Sequence, residues 1–436
     1  MSDQETVDPF RDTVRAAAER RDALAKLRVQ AAEAYDSAGL PTRHVERWKF
    51  TDLRGLRRLG FAEAHTVDAP RLPDHVLSGE GVRLVLVNGR VSPSLSQLDA
   101  LPEGVRVRSI AAAIQAEDES VADRLTLDAG FTDAPLAALN TAALEDGWMI
   151  DVAPGARVEA PLHLIFLAQN DASESAAACL PRLVLSVGEG ASLSVLESHV
   201  GAGVGATFSN SVSEIAVGAD ARLGHYVLQH ERTDSYHIAS TAIRLDERAV
   251  YDGFVLQLGA ALARREVRAL LAGEAASLTI NGAYLGDGER LVDNTLYTDH
   301  AAPATVSAET FKGVLDHRAR GVFQAKTRVQ RAAQQTDAHQ LHKALLLADG
   351  AEVDAKPELE IYADDVACAH GATAGDLDRD QLFYLRARGV PENQARAMLI
   401  EAFMLDSVEA VTDEAAREAL RAALAAKLSD MEGIGA

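Results

Sequence analysis

A short turn of small and polar residues leading into an apolar β run recurs through the middle of this chain. That recurrence restricts the fold more than any other feature. It appears as Pro154-Gly155-Ala156-Arg157-Val158, Glu189-Gly190-Ala191-Ser192-Leu193, Ala219-Asp220-Ala221-Arg222-Leu223 and Glu274-Ala275-Ala276-Ser277-Leu278. A weaker copy is Glu247-Arg248-Ala249-Val250-Tyr251, and a last one, Asp349-Gly350-Ala351-Glu352-Val353, follows a longer gap. In chain order the first five start about 27 to 35 residues apart, a period that belongs to solenoids, propellers or arrays. Alternating apolar runs such as Leu183-Val184-Leu185-Ser186-Val187 and Leu193-Ser194-Val195-Leu196 lie between the turns, with no helical segments interposed. Repeated short β runs predict a β-solenoid, in which each coil buries its inner face only against its neighbours and the ends need covers. An ordinary β-sandwich is the alternative.

The flanks read differently, giving three regions: 1–146, 147–374 and 375–436. From Phe10 to Ser37 the apolar positions Val14, Ala18, Leu24, Leu27 and Ala31 have helical spacing, and Gly39-Leu40-Pro41 stops the helix. A strand is expected at Val82–Val87, closed by the turn dipeptide Asn88-Gly89; residues 107–143 read as helical and looped. After Gly375 the pattern is helical again. Asp378 is placed to cap a helix over Arg379–Arg388 that ends at Gly389. A second helix is expected over Pro391–Asp406, and a third, capped by Thr412 or Asp413, through Leu428.

Charge and composition narrow the function. The net charge is -22, from 65 acidic against 43 basic residues, which argues against nucleic acid and anionic membrane surfaces as partners. Two distant cysteines, Cys179 and Cys368, fit a reducing compartment rather than a disulfide framework. The polar start MSDQETVDPFRD lacks the apolar core of a signal peptide, and no run approaches a membrane span. A cytoplasmic location is the expectation. The sequence has no GxxxxGK[ST] phosphate loop, GxGxxG, GxSxG, HExxH or CxxC, so ATP hydrolysis by this chain is not expected. A carboxylate pair of the glycosidase kind is compatible with so acidic a sequence, and a β-solenoid enzyme acting on polysaccharides is the enzyme alternative.

One segment carries distinctive chemistry. In Asp364-Asp365-Val366-Ala367-Cys368-Ala369-His370-Gly371 an extended strand turns Cys368 and His370 to one side. A thiolate and an imidazole suit zinc or iron–sulfur chemistry. Two ligands make half of a tetrahedral site, so the remainder must come from elsewhere in the chain or from another subunit; the bland alternative is a core cysteine beside an ordinary histidine. His339 and His342, three apart, face opposite sides if that segment is a strand. His199, His225, His230 and His237 read as satisfied or exposed histidines, Cys179, in a loop-like alanine-rich stretch, as structural, and Trp48 as a packing anchor.

Longer stretches resemble a known family. Phe311-Lys312-Gly313-Val314-Leu315-Asp316 through Ala319-Arg320-Gly321-Val322-Phe323-Gln324 is similar to the SufB/SufD family of iron–sulfur cluster assembly proteins. So are Lys356-Pro357-Glu358-Leu359-Glu360-Ile361-Tyr362 running into Cys368-Ala369-His370-Gly371-Ala372-Thr373, and Leu382-Phe383-Tyr384-Leu385-Arg386-Ala387-Arg388-Gly389. Weaker matches at Glu46-Arg47-Trp48-Lys49-Phe50-Thr51 and Pro135–Ala142 extend the likeness. The Cys-x-His-Gly-Ala-Thr form resembles the SufD branch; a SufB-like cluster scaffold is the alternative. The resemblance implies a mainly β fold, a right-handed parallel β-helix flanked by N- and C-terminal α-helical regions. It implies a non-catalytic assembly subunit, with a SufB-like paralogue and the ABC-type ATPase SufC as partners; the isolated chain is free to form a homodimer. His370, and with it Cys368, would be a ligand of a cluster formed transiently at the interface with SufB, none being stably bound to the isolated chain. Leu382, Phe383, Tyr384, Leu385 and Arg386 would belong to the surface that meets SufC.

Overall fold

The computed structural model describes residues 8–63, 67, 70–125, 134–172 and 175–430. The acidic start (1–7), part of the 107–143 stretch (126–133) and the last six residues lie outside them. Among the described residues no helix is long and apolar enough to cross a membrane.

The repeat builds a parallel β-solenoid of about seven coils. Each coil gives one strand to each of two sheets, so sheet neighbours alternate along the chain. The first sheet runs from Trp148–Val152 and Arg182–Val187 through Leu291–His300 and Arg320–Val329 to Glu352–Ile361. The second runs from Leu162–Asn170 and Ser192–Gly203 through Val306–Leu315 and Asp337–Leu346 to Ala367–Gly375. Successive coils pair in parallel and in register, which excludes the sandwich.

The recurring turn is the device that holds this register. Its second residue stands in the left-handed region at Gly155, Gly190, Asp220, Arg248 and Ala275, with φ between 54° and 72°. Each donates its N–H to the carbonyl of the residue before its counterpart one coil on, as in Gly190 to Ala219 at 2.8 Å and Arg248 to Glu274 at 2.8 Å. A left-handed residue other than glycine costs about 1–2 kcal/mol, and the ladder of hydrogen bonds offsets it. Ala304 and Gln335 continue the column, donating to Gln334 and Asp365; these copies fill the gap in the sequence repeat. The copy at Asp349 belongs instead to the opposite corner, leading into Glu352–Ile361.

Inside, register stacks side chains in columns. One runs Leu162, Val195, His225, Gly253, Ile280, Glu309, Gln340 and His370. It is apolar where the solenoid begins and polar where it ends. In the matched segment at 311–324, Phe311 and Phe323 meet in the core with ring centroids 5.5 Å apart. A Cβ added at Gly313 or Gly321 would lie 2.1 Å and 2.6 Å from atoms of the buried Tyr284 ring and hydroxyl; that close approach is what requires glycine there.

The flanking regions cover the outer faces. The helix expected over 10–37 is two, Arg11–Ala18 and Ala25–Ala38, because Asp22 interrupts it, accepting from the Leu24 N–H at 2.9 Å and holding Arg28. Val82–Val87 is a strand as expected; Asn88 and Gly89, both at positive φ, turn it into Arg90–Val91. Val105–Ser109, which runs into the 107–143 stretch expected to be helical and looped, is a strand lying antiparallel to Trp148–Val152. Trp48 is buried, with the Arg264 guanidinium 4.0 Å from its ring centroid, and so anchors the N-terminal region on the first sheet. Helices Glu392–Val408 and Glu414–Asp430 lay Ile400, Met404, Val408, Leu420 and Leu424 against Leu228, Leu256 and Leu285 of the second sheet. Lys312 ties the former helix down through Asp406, and Asp413 caps the latter, accepting from the Ala416 N–H at 3.0 Å.

Candidate functional site at the open end of the solenoid

Strands Glu352–Ile361 and Ala367–Gly375 are the last of their sheets, each paired on one side only among the described residues. On the preceding coil, alternate residues face inward and are sealed: Phe323, Thr327 and Val329, and Ala338, Gln340 and His342 opposite. Register carries the same orientation one coil further, to Ala355, Leu359 and Ile361, and to Cys368, His370 and Ala372. These have no coil above them. Ile361 is 40% exposed where Val329 beneath it is 0%, and His370 is exposed above the buried Gln340. The solenoid therefore ends on residues of core character turned toward solvent.

Cys368 and His370 share this inward face, as the strand alternation predicts. The sulfur sits deeper, against Val329, Ala333, Ala363 and Val366. Burial raises the Cys368 thiol pKa and the Asp337 carboxylate adds to it, opposed by a backbone hydrogen bond at Ala338; the resting group is a thiol, and a metal must displace its proton. Below them lies a polar interior. Gln340 donates to Thr327 Oγ1 at 2.7 Å. Glu309, next down the column, hydrogen-bonds Thr298; burial pushes its carboxyl up to about 7. His342 stacks on Phe323 with centroids 4.9 Å apart and meets the Tyr284 hydroxyl at 2.9 Å; burial holds its imidazole down to about 4. His339 points outward to Asp337, 2.8 Å away, so the two histidines do face opposite sides. Sequence reasoning missed Gln340 beneath His370, Glu309 one coil further down, and Leu359 and Ile361 on the last strand of the other sheet. Period-two alternation places each on an inward face, but only the pairing register shows which lie under one another.

The two edges differ in chemistry. Glu352–Ile361 carries Glu352, Asp354, Lys356, Glu358 and Glu360, and also Pro357, the features that protect an edge from pairing. Ala367–Gly375 has no charged Asp, Glu, Lys or Arg residue and is built almost wholly from small side chains. Such an edge is open to strand addition.

At a second surface, helix Arg379–Ala387 is capped by Asp378, which accepts from the N–H groups of Asp380 and Gln381, and buries no residue of its own. Phe383 and Tyr384 are 73% and 55% exposed. Arg386 is exposed and paired with Glu392, while Leu382 and Leu385 are half-buried. Leu382, Phe383 and Arg386 line a groove with Leu377 and Arg396. Cys179 is buried, on the short strand Ala176–Cys179 rather than in a loop.

Comparison with known proteins agrees with this architecture. Residues 167–403 match the model of the SUF system FeS cluster assembly SufBD core domain, and residues 6–164 match the SufBD protein N-terminal region. The chain is 33% identical to an iron–sulfur cluster assembly SufBD family protein of Synechocystis, over 87% of this chain and 86% of that one. It is 32% identical to the iron–sulfur cluster assembly protein SufD of Escherichia coli, over 89% and 90%. With most of its length matched, the chain belongs to the SufBD family of iron–sulfur cluster assembly proteins.

Proposed function

We propose that this chain is the SufD-type subunit of a SUF complex, meeting a SufB-type paralogue at its open last coil and the ATPase SufC on its C-terminal helices. The observation that carries this reading is the uncovered inward face bearing Cys368, His370, Leu359 and Ile361. Another solenoid end seated there would bury the apolar residues and add a strand to Ala367–Gly375. It would also bring the ligands that Cys368 and His370 lack. The cluster is cargo, formed between subunits and passed on, and the isolated chain retains none.

The chain itself performs no turnover. ATP hydrolysis belongs to SufC, consistent with a sequence that lacks a phosphate loop. Phe383, Tyr384 and Arg386, with the half-buried Leu382 and Leu385, form the docking surface. A pull on these helices reaches the solenoid through Lys312–Asp406, on the strand that carries Glu309 two coils beneath His370.

Anaerobic reconstitution with iron and sulfide, on the chain alone and with its SufB and SufC partners, tests this. His370→Ala is expected to abolish cluster formation while the complex still co-elutes, because an exposed imidazole contributes little to packing. Undiminished cluster yield in that variant would falsify the assignment.

A further inference from the structure

Near the closed end, the solenoid interior holds side chains that cluster assembly at the open end leaves unused. His199 lies on strand Ser192–Gly203, Glu231 in the turn after strand Arg222–His230, and His237 on strand Tyr236–Leu245. One ligand atom from each lies within 4.8 Å of the others, and all three residues are buried, at 1%, 3% and 2% exposure. We propose that His199, Glu231 and His237 bind a divalent first-row transition ion, zinc or ferrous iron, as a clip between the two sheets.

The donor set is the first reason. Two imidazoles and one carboxylate suit these ions and leave a position for water. The second is the layer behind the donors. His199 Nε2 is 2.7 Å from Glu197 Oε1, which leaves Nδ1 as the nitrogen His199 has to offer. The other Glu197 oxygen is 3.0 Å from His225 Nε2, and His225 Nδ1 is 2.9 Å from the Tyr251 hydroxyl. Gln229 Nε2 donates to Glu231 Oε2 at 2.5 Å. A carboxylate behind an imidazole and an amide behind a carboxylate are the partners that orient metal ligands.

Charge is the third reason. Glu197 and Glu231 are both sealed in the interior, at 2% and 3% exposure. Buried anions require positive charge beside them. His237 Nδ1 is 2.8 Å from Glu231 Oε1, close enough for one ion to take both as ligands. Burial of the whole group means that the ion is taken up as the chain folds.

The test uses the full chain with Cys368→Ser and His370→Ala, so that the open end binds nothing. Refolded with Zn²⁺ or, without oxygen, with Fe²⁺, this chain is expected to retain one ion after desalting. Its melting temperature should rise by roughly 3 °C or more at a hundredfold excess over Kd. Glu231→Gln and His237→Gln should lose the ion, and Glu197→Gln, which acts through His199, should bind about 10- to 100-fold more weakly. His339→Gln, on the outer surface, should change nothing. Where the interior variants do not fold, Co²⁺ added to the refolding background chain decides. Visible d–d absorption without thiolate charge transfer supports the site. A folded background chain that retains none of the three ions and melts alike with and without them overturns it, and leaves a hydrogen-bonded His–Glu network.

Discussion

At the start of the solenoid, Val105–Ser109 lies antiparallel against Trp148–Val152 and Val82–Val87 pairs with Leu162–Asn170. Leu164 and Ile150, near that end, are wholly buried. At the other end Leu359 and Ile361 hold equivalent inward positions with no further strand beyond them among the described residues. A chain that covers one end with strands of its own has the means to cover the other. Leaving it bare, with an uncharged edge strand, is costly for a monomer and useful only where something seats there. The interior differs in the same sense: the column that starts at Leu162 and Val195 finishes at Glu309, Gln340 and His370.

The comparison can be broken most directly by truncating one side chain at each end. Leu164→Ala should destabilise the isolated chain by about 2–5 kcal/mol, the cost of a core cavity. Leu359→Ala should cost less than about 1 kcal/mol because its site is already wet, yet weaken assembly with the proposed SufB-type partner. Denaturant unfolding of both variants checks the first claim; equal losses would mean that the last coil is covered in the isolated chain, as by a second copy.

The polar half of the interior predicts a pH dependence. The Glu309 carboxyl is raised to about 7 from 4.5, so between those values the folded chain holds a proton that the unfolded chain has released. Stability from this residue is therefore full below the unfolded value and falls as pH rises through about 7. Glu309→Gln keeps the neutral form at every pH. It should be near neutral at pH 5 and stabilising by roughly 2–3 kcal/mol at pH 8, given about 1.4 kcal/mol per pKa unit. Thermal melts of both chains across that range measure it; a pH-independent difference would show that Glu309 is already ionised in the fold.

The smallest effect concerns the C-terminal surface. Phe383→Glu should leave the melting temperature within about 1 °C, since the ring is largely in water. The affinity for SufC should fall about tenfold or more, as for a central aromatic anchor. Titration calorimetry with purified SufC reads it, and unchanged affinity would move the docking surface elsewhere.

Much of this fold was legible because the turn repeat is also a hydrogen-bonding repeat. The copies read from the sequence share alanine at the third position, Ala156, Ala191, Ala221, Ala249 and Ala276; after Ala304 and Gln335 that position is Thr305 and Thr336, and those coils were missed. The copy at Asp349 matched in composition but turns the opposite corner. The break at Asp22 inside the first helical stretch is a capping event that periodicity alone passes over. Cys368 and His370 were legible as a pair because strand alternation is local. The bareness of their coil depends on which strands come last in each sheet, and the convergence of His199, Glu231 and His237 depends on coil length; neither is written in any short window.

The ladder of left-handed turns makes each coil the template for the next. Adding or deleting one whole coil, about 27 to 31 residues between matching strand starts in the middle of the second sheet, would leave every remaining coil with the same kind of neighbour. The covers would have to be refitted, since Trp48 sits on Arg264 and the C-terminal helices span Leu228 to Leu285. The distance between the N-terminal cover and the edge bearing His370 is thus a length that can be reset in steps, much as a telescoping rod is reset by sections.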